Sequence, residues 1–180
     1  MKTIKSKRIE FLSTITLICL AAAGRLMPHP ANFTPLTGIA LFGASRQNSK
    51  WAAYLIPMSV LLITDLFLGF HSTMPFVYGS FLITAFLGRK WISANSGALR
   101  IGGVTLASAS LFFLITNFGV WATSGLYSKD LSGLVLCYEA AIPFFRNMLL
   151  GDFFYVGALF GLHALVRSFT SEMKGSEVYS

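Results

Sequence analysis

Long apolar runs separated by short polar segments dominate the chain, and they predict helices that cross a membrane. A spanning helix needs roughly 20 mainly apolar residues, because the hydrocarbon core is about 30 Å thick and a helix rises about 1.5 Å per residue. Five segments approach or meet this length: Glu10 to Met27, Trp51 to Phe70, Met74 to Gly88, Ile101 to Thr123 and Met148 to Val166. The pattern therefore predicts an all-α integral membrane bundle.

A sixth apolar segment, Thr34 to Ser45, has only 12 residues. Thr34 can cap a helix and Pro35 suits the first helical position, so this segment is also predicted to be helical. It is too short to span the hydrocarbon core upright by itself. Whether it crosses decides the side of the membrane on which every later loop lies.

The positions of lysine and arginine favour a crossing. If all six segments cross from a cytoplasmic N-terminus, 11 of the 14 basic residues are cytoplasmic, and only Arg25, Lys129 and Arg146 lie outside. If the short segment does not cross, 6 basic residues lie inside and 8 outside. Because cytoplasmic loops are rich in lysine and arginine, we expect six transmembrane helices with both termini in the cytoplasm.

One alternative for the N-terminus stays open. A basic start, an apolar stretch and Ala21 and Ala23 at a suitable spacing also fit a cleavable signal peptide. Cleavage would remove the first span and leave an odd number of crossings.

The remaining connections and the tail complete the predicted organisation. Ser124 to Asn147 is the longest connection, and its apolar centre predicts a short extra helix in the last outer loop, ended by Pro143. Gly157 and Gly161 form a G-x-x-x-G pattern that favours close helix packing. We expect a single transmembrane domain over residues 1–168 and a polar cytoplasmic tail over residues 169–180.

Composition supports the membrane assignment and argues against a nucleic-acid partner. Only 12% of the residues are charged and 54% are hydrophobic, whereas soluble domains carry about 25% charged residues. The net charge of +7 comes from short basic clusters between apolar runs, not from a continuous basic stripe. The expected partner is therefore the lipid bilayer.

Two acidic side chains, Asp65 and Asp152, lie inside predicted spans. Ionisable groups are costly there and mark a functional site by default, and the six-span arrangement places both in the outer third of the membrane. A second interpretation is that they only pair with Arg25 or Arg146 and hold helices together. The predicted ligand-binding set comprises these four residues and the polar or aromatic residues at the same level: His29, Asn32, His71, Asn117, Trp121, Tyr127, Tyr138 and Glu139.

No catalytic, metal-binding or cofactor motif is present in the sequence. It contains no Cys-x-x-Cys, His-Glu-x-x-His, Gly-x-Ser-x-Gly or Walker motif. We therefore do not predict an enzyme, a metal site or a cofactor, and we interpret Cys137 as a buried thiol. An intramembrane enzyme that uses Asp152 as a general acid or base is the remaining catalytic alternative.

Four segments carry a family resemblance: PHPANFTPLTGIALFGA, TDLFLGFH, TNFGVWATSGLY and CYEAAIPFFRNMLLGDFFY. From about Arg25 to Phe160, the chain resembles an uncharacterised family of small bacterial membrane proteins. That family in turn is similar to the substrate-binding S components of energy-coupling-factor vitamin transporters. The resemblance implies six helices in the bacterial inner membrane and a vitamin-like ligand that is bound from the outer side.

An energising ATPase module would be a further partner if the resemblance extends to coupling. S components commonly present an Ala-x-x-x-Ala-type patch to that module, whereas here AAAG (Ala21 to Gly24) lies near the outer end of the first span. The leading hypothesis is a protein that takes up a vitamin or cofactor precursor. The rival hypothesis is a non-transporting scaffold or accessory subunit of a larger complex.

Overall fold

The fold is helical throughout the part of the chain that the computed structural model describes, which is residues 16, 19–20, 23–28, 30–47 and 49–177, with side chains as far as residue 165. Residues 23–26 are helical, and no strand occurs in these ranges. Five longer helices follow: α1 (Leu36–Arg46), α2 (Lys50–Leu68), α3 (Met74–Trp91), α4 (Ala98–Thr123) and α5 (Leu131–Glu177).

Three helices within the described residues are long and apolar enough to cross a membrane. They are α2, α4 and the Leu131–Leu165 part of α5. α1 has only 11 residues, and α3 carries Arg89 and Lys90 in its last turn. The all-helical character is therefore confirmed and three helices fit a membrane span, while the count of six crossings stays a prediction.

The short helix α1 lies at the centre of the bundle. It contacts α2, α3, α4 and α5, and eight of its 11 residues are buried. Neighbouring helices surround α1, so they cover its ends even though the helix is shorter than a full span. The segment that was too short to span alone is thus the most enclosed element of the fold.

Glycines let α1 approach its neighbours closely. A Cβ atom added at Gly88 of α3 would lie 2.9 Å from the Cα and carbonyl oxygen of Leu41, and one added at Gly38 would lie 3.2 Å from the backbone of Tyr155 in α5. At such distances the neighbouring atoms would have to move to make room for the added Cβ atom. These glycines are therefore required by helix-to-helix contact and not by backbone conformation.

Contacts along α1 show that α5 runs in the same direction. Gly38 lies against Tyr155, and four residues further on, the Phe42 ring lies 5.5 Å from that of His163. α3 also runs parallel to α1, because Phe81 shares a core cluster with Leu36 and Gly88 meets Leu41.

α2 and α4 run in the opposite direction to these three helices. Phe112 of α4 contacts Phe81 of α3, whereas Gly119, seven residues later, lies against the earlier Phe76. The C-terminal part of α2 meets the start of α3, where the Tyr78 hydroxyl donates to Asp65. Consecutive helices therefore alternate in direction from α1 to α5.

The predicted extra helix in the last outer loop is not a separate element. α5 is continuous from Leu131 to Glu177, and Pro143 lies inside it. Proline removes one backbone hydrogen bond from a helix interior, but long apolar flanks on both sides sustain this helix. The turn between α4 and α5 is consequently limited to residues 124–130.

The G-x-x-x-G pattern does not bring helices together inside this chain. Among the described residues, nothing lies within 4 Å of a Cβ atom added at Gly157 or at Gly161. Close approaches between helices occur instead at glycines outside this pattern, among them Gly38, Gly88 and Gly119.

Candidate functional site

Two adjoining cavities lie at one end of the bundle, which we call the pocket end. The first has a volume of about 250 Å³ and is lined by residues that include Arg25, Asn32 and Asp152. The second has a volume of about 210 Å³ and shares Asn32, Val77, Phe112 and Met148 with the first. Since four lining residues belong to both, the cavities are neighbouring lobes of one candidate site.

Arg25 and Asp65 form an ion pair beside the first cavity. The Arg25 Nη1 and Asp65 Oδ1 atoms are 2.7 Å apart, and Asp65 is only 2% exposed. Arg25 also donates to the hydroxyl of Thr64. The pair joins the helical residues before Pro28 to the C-terminal part of α2, as the interhelical interpretation of this acid expected.

The second carboxylate oxygen of Asp65 also has a partner. The Tyr78 hydroxyl of α3 donates to Asp65 Oδ2 over 2.9 Å. The carboxylate therefore connects three parts of the chain, and its charge is matched by Arg25. This makes Asp65 a structural residue at the edge of the site, since it does not itself line either cavity.

Asp152 has a different environment. It is 1% exposed and lines the first cavity, where the Thr37 side chain of α1 hydrogen-bonds its carboxylate. Its Oδ2 atom is buried and has no hydrogen-bond partner among the described residues. Buried polar atoms are nearly always hydrogen-bonded, so this oxygen is an acceptor that the described residues leave unsatisfied beside the cavity.

Asn32 and His71 complete the polar part of the first cavity. Asn32 has a φ of 63°, a left-handed conformation that asparagine adopts more readily than most residues. The His71 Nδ1 atom lies 2.7 Å from the Thr73 hydroxyl oxygen. These two residues come from the turns that precede α1 and α3, at the open end of the helices.

Aromatic side chains form much of the remaining wall. The Phe81 and Phe112 rings are 5.1 Å apart at the first cavity, and the second is lined by Phe113, Phe144 and Phe145. These phenylalanines were not among the predicted ligand-binding residues. The chain has 17 phenylalanines. Nothing in the sequence distinguishes those that line a cavity from those that face lipid.

The structure brings five of the predicted ligand-binding residues to the two cavities. Arg25, Asn32, His71 and Asp152 line the first cavity. Asn117 lines the second, where its side-chain amide donates to the Phe113 carbonyl oxygen over 2.8 Å.

Other predicted residues lie outside these cavities. The Tyr138 hydroxyl donates to the Leu114 carbonyl oxygen over 2.6 Å and fastens α5 to α4. Trp121 Nε1 donates to the Ser128 carbonyl oxygen over 2.9 Å. The others that line neither cavity are Tyr127, Glu139 and Arg146, and His29 lies outside the described residues.

The turn from α4 to α5 is ordered by Asp130, which caps α5. Its Oδ1 atom accepts from the Gly133 N–H over 2.7 Å and from the hydroxyls of Ser128 and Ser132. These hydrogen bonds, that of the Gly133 N–H foremost, hold the pKa of Asp130 below its ordinary value. The turn between α4 and α5 is thus short and internally hydrogen-bonded.

A larger cavity of about 480 Å³ lies at the opposite end, which we call the basic end. Its wall includes Gly157, Gly161 and His163 of α5 together with Arg46. The Arg46 guanidinium lies 5.3 Å from the centre of the Phe160 ring and donates to the Ser93 carbonyl oxygen over 3.0 Å. This wall is mainly apolar and has no buried carboxylate.

Neither metal binding nor a disulfide is indicated by the described side chains. No group of three or more histidine, cysteine, aspartate or glutamate residues among them is placed to hold a metal ion. Cys19 and Cys137 are both free thiols, and the Cys137 Sγ atom donates to the Asn117 carbonyl oxygen over 3.4 Å.

Comparison with known proteins identifies a family without an assigned function. A family described as a family of unknown function (DUF6580) matches residues 5–173 of the chain. No curated protein matches the chain. No solved structure matches it.

Proposed function

The chain belongs to this family of unknown function, and we propose that it is a six-span membrane protein that binds a small ring-bearing molecule at the pocket end for uptake. The observation that carries the proposal is the pair of adjoining cavities that are lined by the buried Asp152 together with several phenylalanines. Ligand pockets combine mostly apolar walls with a few placed polar groups.

Two observations support six crossings. The five helices alternate in direction, as consecutive spans must. Arg46 donates to the Ser93 carbonyl oxygen and Arg89 donates to the Gln47 carbonyl oxygen, so residues that the charge distribution assigns to the cytoplasm meet at the basic end. On this proposal the basic end is cytoplasmic, both termini lie there, and the cavities open outward from a bacterial inner membrane.

The size of the cavities suits a vitamin or cofactor precursor. Drug-sized ligands occupy pockets of about 300–1,000 Å³, and each lobe alone is smaller, at about 250 and 210 Å³. A ligand with one ring and a polar end would use both lobes. This is the mode of binding that the likeness to S components implies, and an energising ATPase module would be its partner in uptake.

A matched pair of substitutions tests the pocket. Val77 lines both cavities, whereas Val135 of α5 is 47% exposed and lines neither. In Val77→Phe the larger side chain fills the site, so we expect it to reduce at least about tenfold the small molecule released on denaturation of protein purified from native membranes. Mass spectrometry of the released fraction measures this, and Val135→Phe should release as much as the wild type.

Equal release by wild type and Val77→Phe would contradict a site in these cavities.

A second candidate function, a non-transporting scaffold or accessory subunit, is favoured by the Arg25–Asp65 pair, because this acid is fully used in holding helices together. Recovery of a stoichiometric protein partner without any released small molecule would support that function over uptake.

A further inference from the structure

The two acids in and beside the cavities differ in how their charge is matched among the described residues. Of the two acids inside spans, Asp65 is matched by Arg25 at 2.7 Å. Within the described part of the chain, the side chain that hydrogen-bonds Asp152 is that of the uncharged Thr37. Apart from these, His71 is the one titratable residue among the described residues that line the cavities, and it contacts the Thr73 hydroxyl.

An isolated carboxylate in this position needs a partner. Its Oδ2 atom is buried without a hydrogen bond inside the described structure, and an unpaired charge away from water is strongly unfavourable. Neither Lys129 nor Arg146 lines the cavities. A positively charged group with an N–H that reaches Oδ2 would satisfy both the charge and the missing hydrogen bond.

The aromatic wall favours the same class of molecule. Phe112 lines both cavities, with Phe81 on one side and Phe113 on the other. Phenylalanine faces attract cations and stack on flat rings. Among the described residues, the basic side chains that line the cavities are Arg25 and His71, and the guanidinium of Arg25 is engaged by Asp65 and Thr64.

From this geometry we infer that the ligand is a small organic cation, an aromatic ring that carries a protonated nitrogen, with Asp152 as its counter-ion. This inference rests on the proposed uptake function and names its substrate class. Asp152 Oδ2 accepts the charged N–H, the Thr37 side chain holds the carboxylate in place, and the ring lies against Phe112. Asp65 takes no part in recognition.

Three probes of nearly the same shape and different charge test the inference. The full-length protein in lipid nanodiscs is titrated with the phenethylammonium cation, neutral phenethyl alcohol and the hydrocinnamate anion, and Kd is measured by calorimetry. We expect the cation to bind at least about tenfold more tightly than either of the others, because only it pairs with the buried carboxylate.

An uncharged variant of Asp152 with the same shape shows how much of the binding depends on the negative charge. Asp152→Asn should weaken binding of the cation at least about tenfold and leave that of the alcohol within about twofold. Glu139→Gln is the matched control, because Glu139 is an exposed acid on the same helix that lines neither cavity. It should bind all three probes as the wild type does.

The results that overturn the inference differ from those that overturn the uptake proposal. Binding of the alcohol or the anion as tight as that of the cation, or no binding of the cation, removes the assignment of a cationic ligand. Such a result leaves the pocket itself intact if Val77→Phe still abolishes release of the native small molecule. The comparison of the probes on the wild-type protein remains decisive even if Asp152→Asn does not fold.

Discussion

Two aspartates that look alike in the sequence have different roles at the level of single residues. Both lie in apolar helices and both are almost fully buried, at 2% and 1% exposure. Asp65 is held by Arg25 and Tyr78, whereas Asp152 lines a cavity and its buried Oδ2 atom has no hydrogen-bond partner among the described residues. The distinction depends on partners from other helices, so hydropathy and spacing alone do not reveal it.

Loss of the charge at Asp65 should destabilise the protein. Asp65→Asn leaves the Arg25 guanidinium, which is 15% exposed, without its counter-ion, and breaking a buried pair costs about 3–5 kcal/mol. Tyr78→Phe removes one hydrogen bond to the carboxylate and should cost less, about 1.5–3 kcal/mol. Unfolding in mixed micelles measures both free energies.

The double variant Arg25→Gln/Asp65→Asn shows whether the cost arises from the pair. Since neither charge then remains unmatched, it should be more stable than the sum of the two single changes predicts. Additive losses would mean that the two residues act independently and that the ion pair does not hold the helices together.

The sequence allowed the polar side of the site to be predicted better than its apolar side. Arg25, Asn32, His71 and Asp152 meet at the first cavity, because polar residues in a hydrophobic chain are rare enough to be informative. Thr37 was not predicted, although it contacts Asp152. A threonine in a helix normally bonds its own backbone, so its role is visible only once α1 lies against α5.

At the level of elements, the fold depends on close contacts around α1. The helix is short, and α3 and α5 approach it at Gly88 and Gly38. The apolar runs predicted the positions of α2, α3 and α4 to within a few residues. They did not predict that α5 continues through Pro143, because proline normally ends a helix in the absence of packing on both sides.

A pair of glycines in α3 tests the importance of this close packing. Gly88→Ala would place a methyl group 2.9 Å from the Leu41 backbone, which cannot move aside as a flexible side chain would. We expect a loss of about 1–3 kcal/mol from overpacking. Gly79→Ala, with nothing within 4 Å of the added carbon, should be neutral or more stable by up to about 1 kcal/mol.

Thermal unfolding of the two variants in the same detergent provides the measurement. A Tm for Gly88→Ala equal to that of Gly79→Ala would show that α1 and α3 can separate without cost. In that case the enclosed position of α1 would not be what fixes the arrangement of the cavities.

At the level of the whole molecule, the alternation of helix direction and the distribution of charge lead to the same arrangement. α1, α3 and α5 run one way and α2 and α4 the other, so Arg46 and Ser93 meet at the basic end, while Ser72 and Thr123 meet at the pocket end. From the sequence, only the number of basic residues on each side predicted this arrangement. The structure adds that the predicted outer polar residues Arg25, His71 and Asp152 line one cavity.

Cysteine labelling in intact cells tests which end faces the cytoplasm. Asn95→Cys lies at the basic end between α3 and α4, and Leu126→Cys lies at the pocket end, where the native leucine is 76% exposed. In a background with Cys19→Ser, a membrane-impermeant maleimide should label Leu126→Cys in intact cells and Asn95→Cys only after the membrane is opened. The buried Cys137 should stay unlabelled in both variants. Labelling of Asn95→Cys from outside would show that the orientation is the reverse of the predicted one. The cavity lined by Asp152 would then open to the cytoplasm and could not take up a ligand from outside the cell.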